Sequence, residues 1–226
     1  MSGSPGADDA KTAYDAVADD YAAFFRSTEP EQRIDLAGID HMVDQLRYQS
    51  GPPLVLDAGC GAGRMSQYLT ERGCRVLGVD LSPRMIDMCR RDHPGMDARV
   101  ASIADLPFED STFAAALYWY SIIHMPDDAL TEVFAEARRV VQPGGLALFA
   151  FQTGAGVRDV AGGYRRLGHE VTLMRYHRSP DDVSRLLQVA GLQERLRMVR
   201  SAMAGEQDGQ AVLLVQRALL RPEADG

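Results

Sequence analysis

Five short apolar runs recur through the middle of the chain: LVLDA (54–58), RVLGV (75–79), ARVAS (98–102), FAAALYW (113–119) and LALFAF (146–151). Runs of five to seven residues are strand-length, and their apolarity marks strands covered on both faces. Amphipathic helices separate most of them. One spans Gly63 to Arg72, and a second opens with Ser82 as N-cap and Pro83 in its first turn. A third runs from Asp127 to Val141, with Leu130, Val133, Phe134, Ala137, Val140 and Val141 at 3.6-residue spacing. A β-α-β-α rhythm of this kind requires a parallel sheet with helices on both faces, an α/β doubly wound architecture.

The flanks follow other rules. The first ten residues, MSGSPGADDA, are small and polar and read as disordered. A helix fits Lys11 to Phe25, with Tyr14, Val17, Ala18, Tyr21, Phe24 and Phe25 on one face and Asp15, Asp19 and Asp20 turned away. A second follows Pro30, presents Ile39, Met42, Val43 and Leu46, and stops near Ser50-Gly51-Pro52-Pro53. Residues 152–179 break the rhythm with five glycines, and a strand fits within 170–177. Ser179-Pro180 then caps a helix reaching about Ala190, with Gly191 as its stop, and strands near 193–200 and 211–217 follow. At 226 residues the chain suits one large α/β domain. Its parts are a disordered 1–10, a helical lid over 11–50, a core over 51–151, a roof insertion over 152–179 and a C-terminal helix with strands over 180–226.

Composition narrows the function. A formal charge of −8 argues against nucleic-acid and anionic-membrane partners, which need clustered positive charge. No apolar stretch approaches the ~20 residues that cross a bilayer. Cys60, Cys74 and Cys89 are odd in number and lack CxxC or zinc spacing, so they read as reduced thiols of a cytoplasmic protein.

The sharpest motif is Asp57-Ala58-Gly59-Cys60-Gly61-Ala62-Gly63-Arg64, directly after a strand and opening a helix. Its glycines permit a tight turn and close approach of a ligand to the backbone. Asp80, ending the next strand, can take both hydroxyls of a ribose. A pyrophosphate fingerprint G-x-G-x-x-G would place glycine at 64, where this chain has Arg64. The acid at 57 would repel phosphate and suits a cationic amino or sulfonium group. The combination points away from NAD and towards S-adenosylmethionine.

The stretch LVLDAGCGAGRMSQYL, with VLGVDLSPRMIDMCR, LPF, FAAALYWYSIIHMP and EARRVVQPGGLALFAF after it, resembles the class I S-adenosylmethionine-dependent methyltransferases of the small-molecule type, over about residues 50–152. The resemblance implies a Rossmann-like, seven-stranded, mostly parallel sheet with an antiparallel last strand, and a cofactor across the tips of the first, second and fourth strands. It implies that Asp57, Gly59, Cys60, Gly61, Gly63 and Arg64 cradle the methionine end and Asp80 holds the ribose. Leu81 and Met85 would wall the adenine, with Ser102 and Ile103 at its edge. Ser102 stands where the family often has an acid, and Phe113-Ala114 where it usually has Phe-Asp.

Further candidates carry two readings each. Tyr14 and Tyr21 share a helix face, as core packing or as part of a lid contacting the cofactor. Of Tyr118, Trp119 and Tyr120, strand alternation sends one or two into the sheet and the rest to the site: Tyr118 to the cofactor, Trp119 and Tyr120 to the substrate. His124 is either a satisfied core histidine or the general base. Arg175 and His177, among Arg158, Arg165, Arg166, His169 and Arg178, hint at a roof over an acidic or phenolic acceptor. No carboxylate lies between Ala114 and Met125, so metal-independent O-methylation of a small molecule is expected. N- or C-methylation, a NAD-dependent oxidoreductase and a non-catalytic cofactor-binding protein are the alternatives, and a homodimer stays open.

Overall fold

Strands form where a backbone segment finds a neighbour to pair with, and nine segments among the described residues do so. The computed structural model describes residues 5–46 and 51–219. In chain order its strands are β1 (Leu54–Ala58), β2 (Arg75–Asp80), β3 (Asp97–Val100), β4 (Phe113–Trp119), β5 (Val141–Gln152), β6 (Val157–Asp159), β7 (Met174–Tyr176), β8 (Leu192–Arg200) and β9 (Gln210–Arg217). The helices are α1 (Pro5–Phe24), α2 (Arg33–Leu46), α3 (Arg64–Glu71), α4 (Pro83–Asp92), α5 (Leu130–Val140), α6 (Gly162–Arg166) and α7 (Pro180–Val189).

Seven strands form one sheet in the order β3-β2-β1-β4-β5-β9-β8, and β6 and β7 make a separate hairpin. β1 to β5 pair in parallel, and β9 runs antiparallel to both its neighbours. The order reverses between β1 and β4. In doubly wound sheets a crevice opens at that point, beyond the carboxyl ends of the strands.

Each face of the sheet buries its own core. On one, Leu56, Ala116, Tyr118, Phe149 and Phe151 pack against α5 and α7 through Phe134, Ala137, Val183 and Leu187. On the other, Val55, Leu117, Leu148 and Leu214 meet α2 and α3 through Ile39, Met42, Val43, Met65 and Leu69. A fully buried side chain of this size contributes about 1.5–3 kcal/mol, so these layers dominate stability.

Three local expectations are corrected. Residues 5–10, read as disordered, form the first turns of α1, while 1–4 lie outside the described residues. Pro5 suits a first helical position, Asp8 complements the helix dipole, and Ala10 packs beside Ala13, Ala161 and Leu173. The helix expected over 127–141 is a 3-10 turn at Asp127–Ala129 followed by α5. It stops because Val141 turns to extended backbone and pairs with Phe113. Pro143-Gly144-Gly145 then forms an irregularity in β5, since proline cannot donate to a ladder. Within 152–179 the chain builds β6, α6 and β7 where only one strand was expected. The end of α2 predicted near 50–53 falls partly at 47–50, outside the described residues.

Candidate active site

A cavity opens at the carboxyl ends of β1, β2 and β4, roofed by α1 and the β6–β7 hairpin. Its floor is the glycine loop. Gly59 and Cys60 both donate their amides to the Val79 carbonyl (2.8 and 2.9 Å), which folds the loop back over β2. Gly59 and Gly61 have φ of 85° and 54°. A Cβ on Gly59 would lie 2.3 Å from Cβ of Ser121, so only glycine fits beneath β4. A Cβ on Gly61 would sit 3.6 Å from the Tyr21 ring, in the space between loop and α1.

Asp80 holds this floor in place. One carboxylate oxygen accepts the Gly61 amide and the other the Ser82 amide, each at 2.9 Å. Burial raises its pKa, and the two amides oppose that rise. A carboxylate has about four acceptor sites, so two further donors can still be taken from the cavity side. Leu81, Met85, Ser102 and Ile103 line the cavity beside it. The Ser102 hydroxyl also accepts the Ala104 amide at 3.2 Å.

Arg64 lines the cavity with partners that its motif does not announce. It ion-pairs with Glu31, with both side chains about 10% exposed, and stacks its guanidinium 5.3 Å over the Phe25 ring. Glu31 and Phe25 also line the cavity. A ligand carboxylate reaching Arg64 therefore shares it with Glu31.

Across the cavity, Tyr14 and His124 form a hydrogen-bonded pair at 2.9 Å. Nδ1 of His124 lies 2.7 Å from the Met174 carbonyl, which can only accept, so the ring proton sits on Nδ1 and the Nε2 lone pair takes the Tyr14 hydroxyl. Burial, reinforced by Arg175 and Arg178, lowers the His124 pKa to about 4. Burial also raises Tyr14 well above the usual phenol range, so it stays a donor. Tyr21 sits edge-on to Tyr14, with ring centroids 5.6 Å apart.

The acidic face of α1, expected to point into solvent, is partly exposed and also carries tertiary partners. Asp15 accepts from the Ser82 hydroxyl (2.5 Å), Asp19 pairs with Arg84 (2.9 Å), and Asp20 pairs with His169 of the roof (2.6 Å). The apolar face meanwhile packs Ala18 and Ala22 against Met85 and Met88 of α4.

Of the three successive aromatics, Tyr118 and Trp119 end β4, where alternation sends them to opposite faces, and Tyr120 follows the strand. Tyr118 is buried in the core, stacked on Phe149 at 4.5 Å, away from the cavity. Trp119 and Tyr120 line it. Tyr120 has a φ of 56°, an uncommon conformation for a non-glycine residue that ends the strand and turns the chain. Arg175 also lines the cavity and gives Nη1 to Asp208 (3.0 Å). His177 does not line it; it joins Arg158 around that same carboxylate, at 3.3 and 2.5 Å. Arg178 is buried and ties the segment after β7 to the turn after β4, through the Ile122 carbonyl (3.0 Å) and Asp127 (2.8 Å).

Asp57, Cys60 and Gly63 also lie off the cavity wall. The Asp57 carboxylate, read as facing a cationic ligand, is buried and accepts the Ser66 hydroxyl at 2.6 Å, and burial raises its pKa to about 6. Cys60 packs with Ile86, Cys89 and Ala98 under α4. Gly63 is the N-cap of α3, where a Cβ would lie 2.6 Å from the Cys89 sulfur. Reasoning from sequence missed Glu31, Ser121, Gln152, Tyr164, Glu206 and Gln210, all on the wall. Ser121 and Gln152 sit one or two residues beyond regions already singled out, which was the available signal.

The cavity suits a nucleoside sulfonium. The Asp80 carboxylate has spare acceptor sites for a ribose diol, the open side of Gly61 admits a ligand against the backbone, and aromatic rings with a neutral imidazole stand opposite. Residues 55–145 match the family model of a methyltransferase domain. The malonyl-[acyl-carrier protein] O-methyltransferase of Erwinia pyrifoliae is 32% identical over 126 residues, 56% of this chain and 47% of that protein. Its counterpart from Salmonella typhimurium is 38% identical over 95 residues, 42% of this chain and 37% of that one. The chain thus spans about half the length, or less, of these curated relatives. The 1,6-didemethyltoxoflavin-N1-methyltransferase of Burkholderia thailandensis, solved with its substrate and S-adenosylhomocysteine, has the same fold. Its TM-score is 0.66 at 20% identity, covering 92% of this chain and 91% of that one. A SAM-dependent methyltransferase of Methanosarcina mazei gives 0.64 at 20%, covering 78% and 98%. Motif, topology and family match agree over one segment: residues 55–145 match a methyltransferase domain, and the chain shares the fold of solved S-adenosylmethionine-dependent methyltransferases.

Proposed function

We propose that this chain transfers a methyl group from S-adenosylmethionine to an oxygen of a small-molecule acceptor, without a metal ion. The observation that carries this reading is one cavity with a ribose-holding carboxylate, Asp80, on one wall and the Tyr14–His124 pair on the other. S-adenosylmethionine supplies an electrophilic methyl on sulfur: the sulfur keeps the electron pair of the breaking bond, the acceptor oxygen forms the new one, and a hydroxyl acceptor sheds its proton.

The protein's own work is mostly positioning. Holding nucleophile and methyl in line supplies several kcal/mol, up to about 7–11 in the best-oriented systems. Asp80 fixes the ribose, Leu81, Met85, Ser102 and Ile103 confine the adenine, and Arg64 takes the amino-acid carboxylate beside Glu31. The other member of the glycine motif with a carboxylate, Asp57, acts through Ser66 by holding the start of α3 under the loop. Cys60 and Gly63 keep that loop close to α4.

Tyr14 turns its proton to His124 and so leaves its oxygen lone pairs to accept from an acceptor hydroxyl. With imidazole basicity near 4, the pair takes a proton only in passing. An acceptor that arrives ionised, such as a carboxylate or acidic phenol, needs no such help. Arg175, with His177 behind it at Asp208, supports an acceptor of that kind. Trp119 and Tyr120 wall its far side, and Tyr118 supports them from within the sheet.

Among the described residues no three His, Cys, Asp or Glu side chains could together hold a metal ion. No helix among them is long and apolar enough to cross a membrane. Calorimetry with S-adenosylhomocysteine and NAD, followed by labelled methyl transfer to hydroxyl acceptors with and without chelator, tests the reading. Binding of the sulfur nucleoside alone, with chelator-resistant transfer, is expected. Binding of NAD alone would overturn it.

A further inference from the structure

Three side chains on one wall of the cavity hold polar atoms that the fold leaves without partners. Trp119 ends β4, Gln152 ends β5 and Gln210 opens β9, three neighbouring strands. Trp119 is in register with Ala150, and Gln152 faces Gln210 across the antiparallel pair. The two-residue period therefore puts all three on the sheet face that carries Leu117, Leu148 and Val212. They are 5%, 9% and 6% exposed, and all line the cavity. Trp119 Nε1, Gln152 Oε1 and Gln210 Oε1 have no hydrogen-bond partner among the described residues. Buried polar atoms are nearly always paired, so three orphans on one wall point to a ligand that pairs them.

Their chemistry specifies what that ligand carries. An indole N–H only donates. The Gln210 amide is oriented by its Nε2, which gives its proton to the Asp208 carbonyl at 3.0 Å, so Oε1 is the atom left to accept. The wall therefore offers a donor at β4 and an acceptor at β9, with the Gln152 amide between them. A carboxylate edge would suit Trp119 and repel the glutamine oxygen, and an apolar ring would satisfy neither. We propose that Trp119, Gln152 and Gln210 select methyl acceptors whose non-reacting edge is amide-like, a carbonyl beside an N–H as in a carboxamide, imide or lactam. This rests on the methyltransferase reading above and adds the acceptor's class to it.

The test compares two phenols with the same reacting hydroxyl: salicylamide, which has the edge, and methyl salicylate, which lacks the N–H. Each is titrated calorimetrically into protein saturated with S-adenosylhomocysteine. Salicylamide should bind at least about tenfold more tightly, because its rival leaves a buried acceptor unpaired. Gln210→Met should bring the ratio close to one, and Trp119→Phe should weaken salicylamide severalfold, with nucleoside binding reporting that both variants are folded. Equal affinities, no binding of either phenol, or a ratio unmoved by both substitutions would overturn the proposal. Failure of the wild-type protein to bind S-adenosylhomocysteine at all would instead overturn the reading on which it rests.

Discussion

The two halves of the cavity are built by different means. The half proposed for the nucleoside is made of backbone: a glycine loop whose amides are held by the Val79 carbonyl and by Asp80, nineteen residues beyond Gly61. The half proposed for the acceptor is made of side chains meeting across long separations, Tyr14 with His124 over 110 residues and Asp20 with His169 over 149. Backbone geometry tolerates few substitutions and serves a constant ligand. Side-chain pairs can be exchanged one at a time, so the second half is where a new acceptor can be accommodated without disturbing the first.

The sharpest way to break this contrast is at His124. His124→Ala should lower turnover by about 10²–10⁴, the usual range for a lost proton-transfer group, with S-adenosylhomocysteine affinity nearly unchanged. His124→Gln, which still accepts from Tyr14, should be similarly impaired. Full activity in the Gln variant would reduce the pair to a positioning contact.

The pH dependence of stability probes the same residue. His124 titrates near 6.5 when unfolded and near 4 in the fold, so between these values the unfolded chain binds the proton that the native site refuses. Its contribution is complete above pH 6.5 and falls by roughly 3 kcal/mol as pH drops to 4. Urea midpoints measured from pH 7 to 4 should show a steeper loss for wild type than for His124→Gln. Parallel curves would mean that the imidazole is not held neutral.

On the nucleoside side, Asp80→Ala should cost about 1.5–3 kcal/mol, roughly ten- to a hundredfold in S-adenosylhomocysteine affinity. A change within twofold in folded protein would remove Asp80 from the site. The smallest effect belongs to the roof. Asp20→Asn weakens a half-exposed pair with His169, worth about 1 kcal/mol or less. It should raise amide exchange in α1 severalfold while leaving β1 and β2 unchanged. Equal effects in both regions would show that lid and sheet open together.

The same contrast explains what the sequence made legible. Gly59, Gly61, Asp80, Leu81 and Met85 follow one another along β1, α3, β2 and the start of α4, so a local motif and the resemblance built on it could bring them to one cavity wall. Glu31, the partner of Arg64, went unseen because it lies in a connection with no periodic pattern. Asp15, Asp19 and Asp20 looked like an ordinary solvated face, as charge on an amphipathic helix usually is. Their partners Ser82, Arg84 and His169 are more than sixty residues away and carry no motif. Alternation required that one or two of Tyr118, Trp119 and Tyr120 turn into the sheet, but which ones depended on the register of β4 against β5. Gln152 and Gln210 are a single cross-strand pair, visible only once β9 is known to run antiparallel.

That reversed strand also sets an order of assembly. β9 follows every other strand in sequence yet lies inside the sheet, and β8 joins the sheet only through it. During synthesis, β1 to β5 can pair as they emerge, whereas β8 must wait with one edge open. Long-range closure of this kind is slow, and an unpaired edge is where association with other chains begins. The nucleoside half can therefore be in place before the acceptor half exists, and the period between the two is when the nascent molecule is most exposed to misassembly.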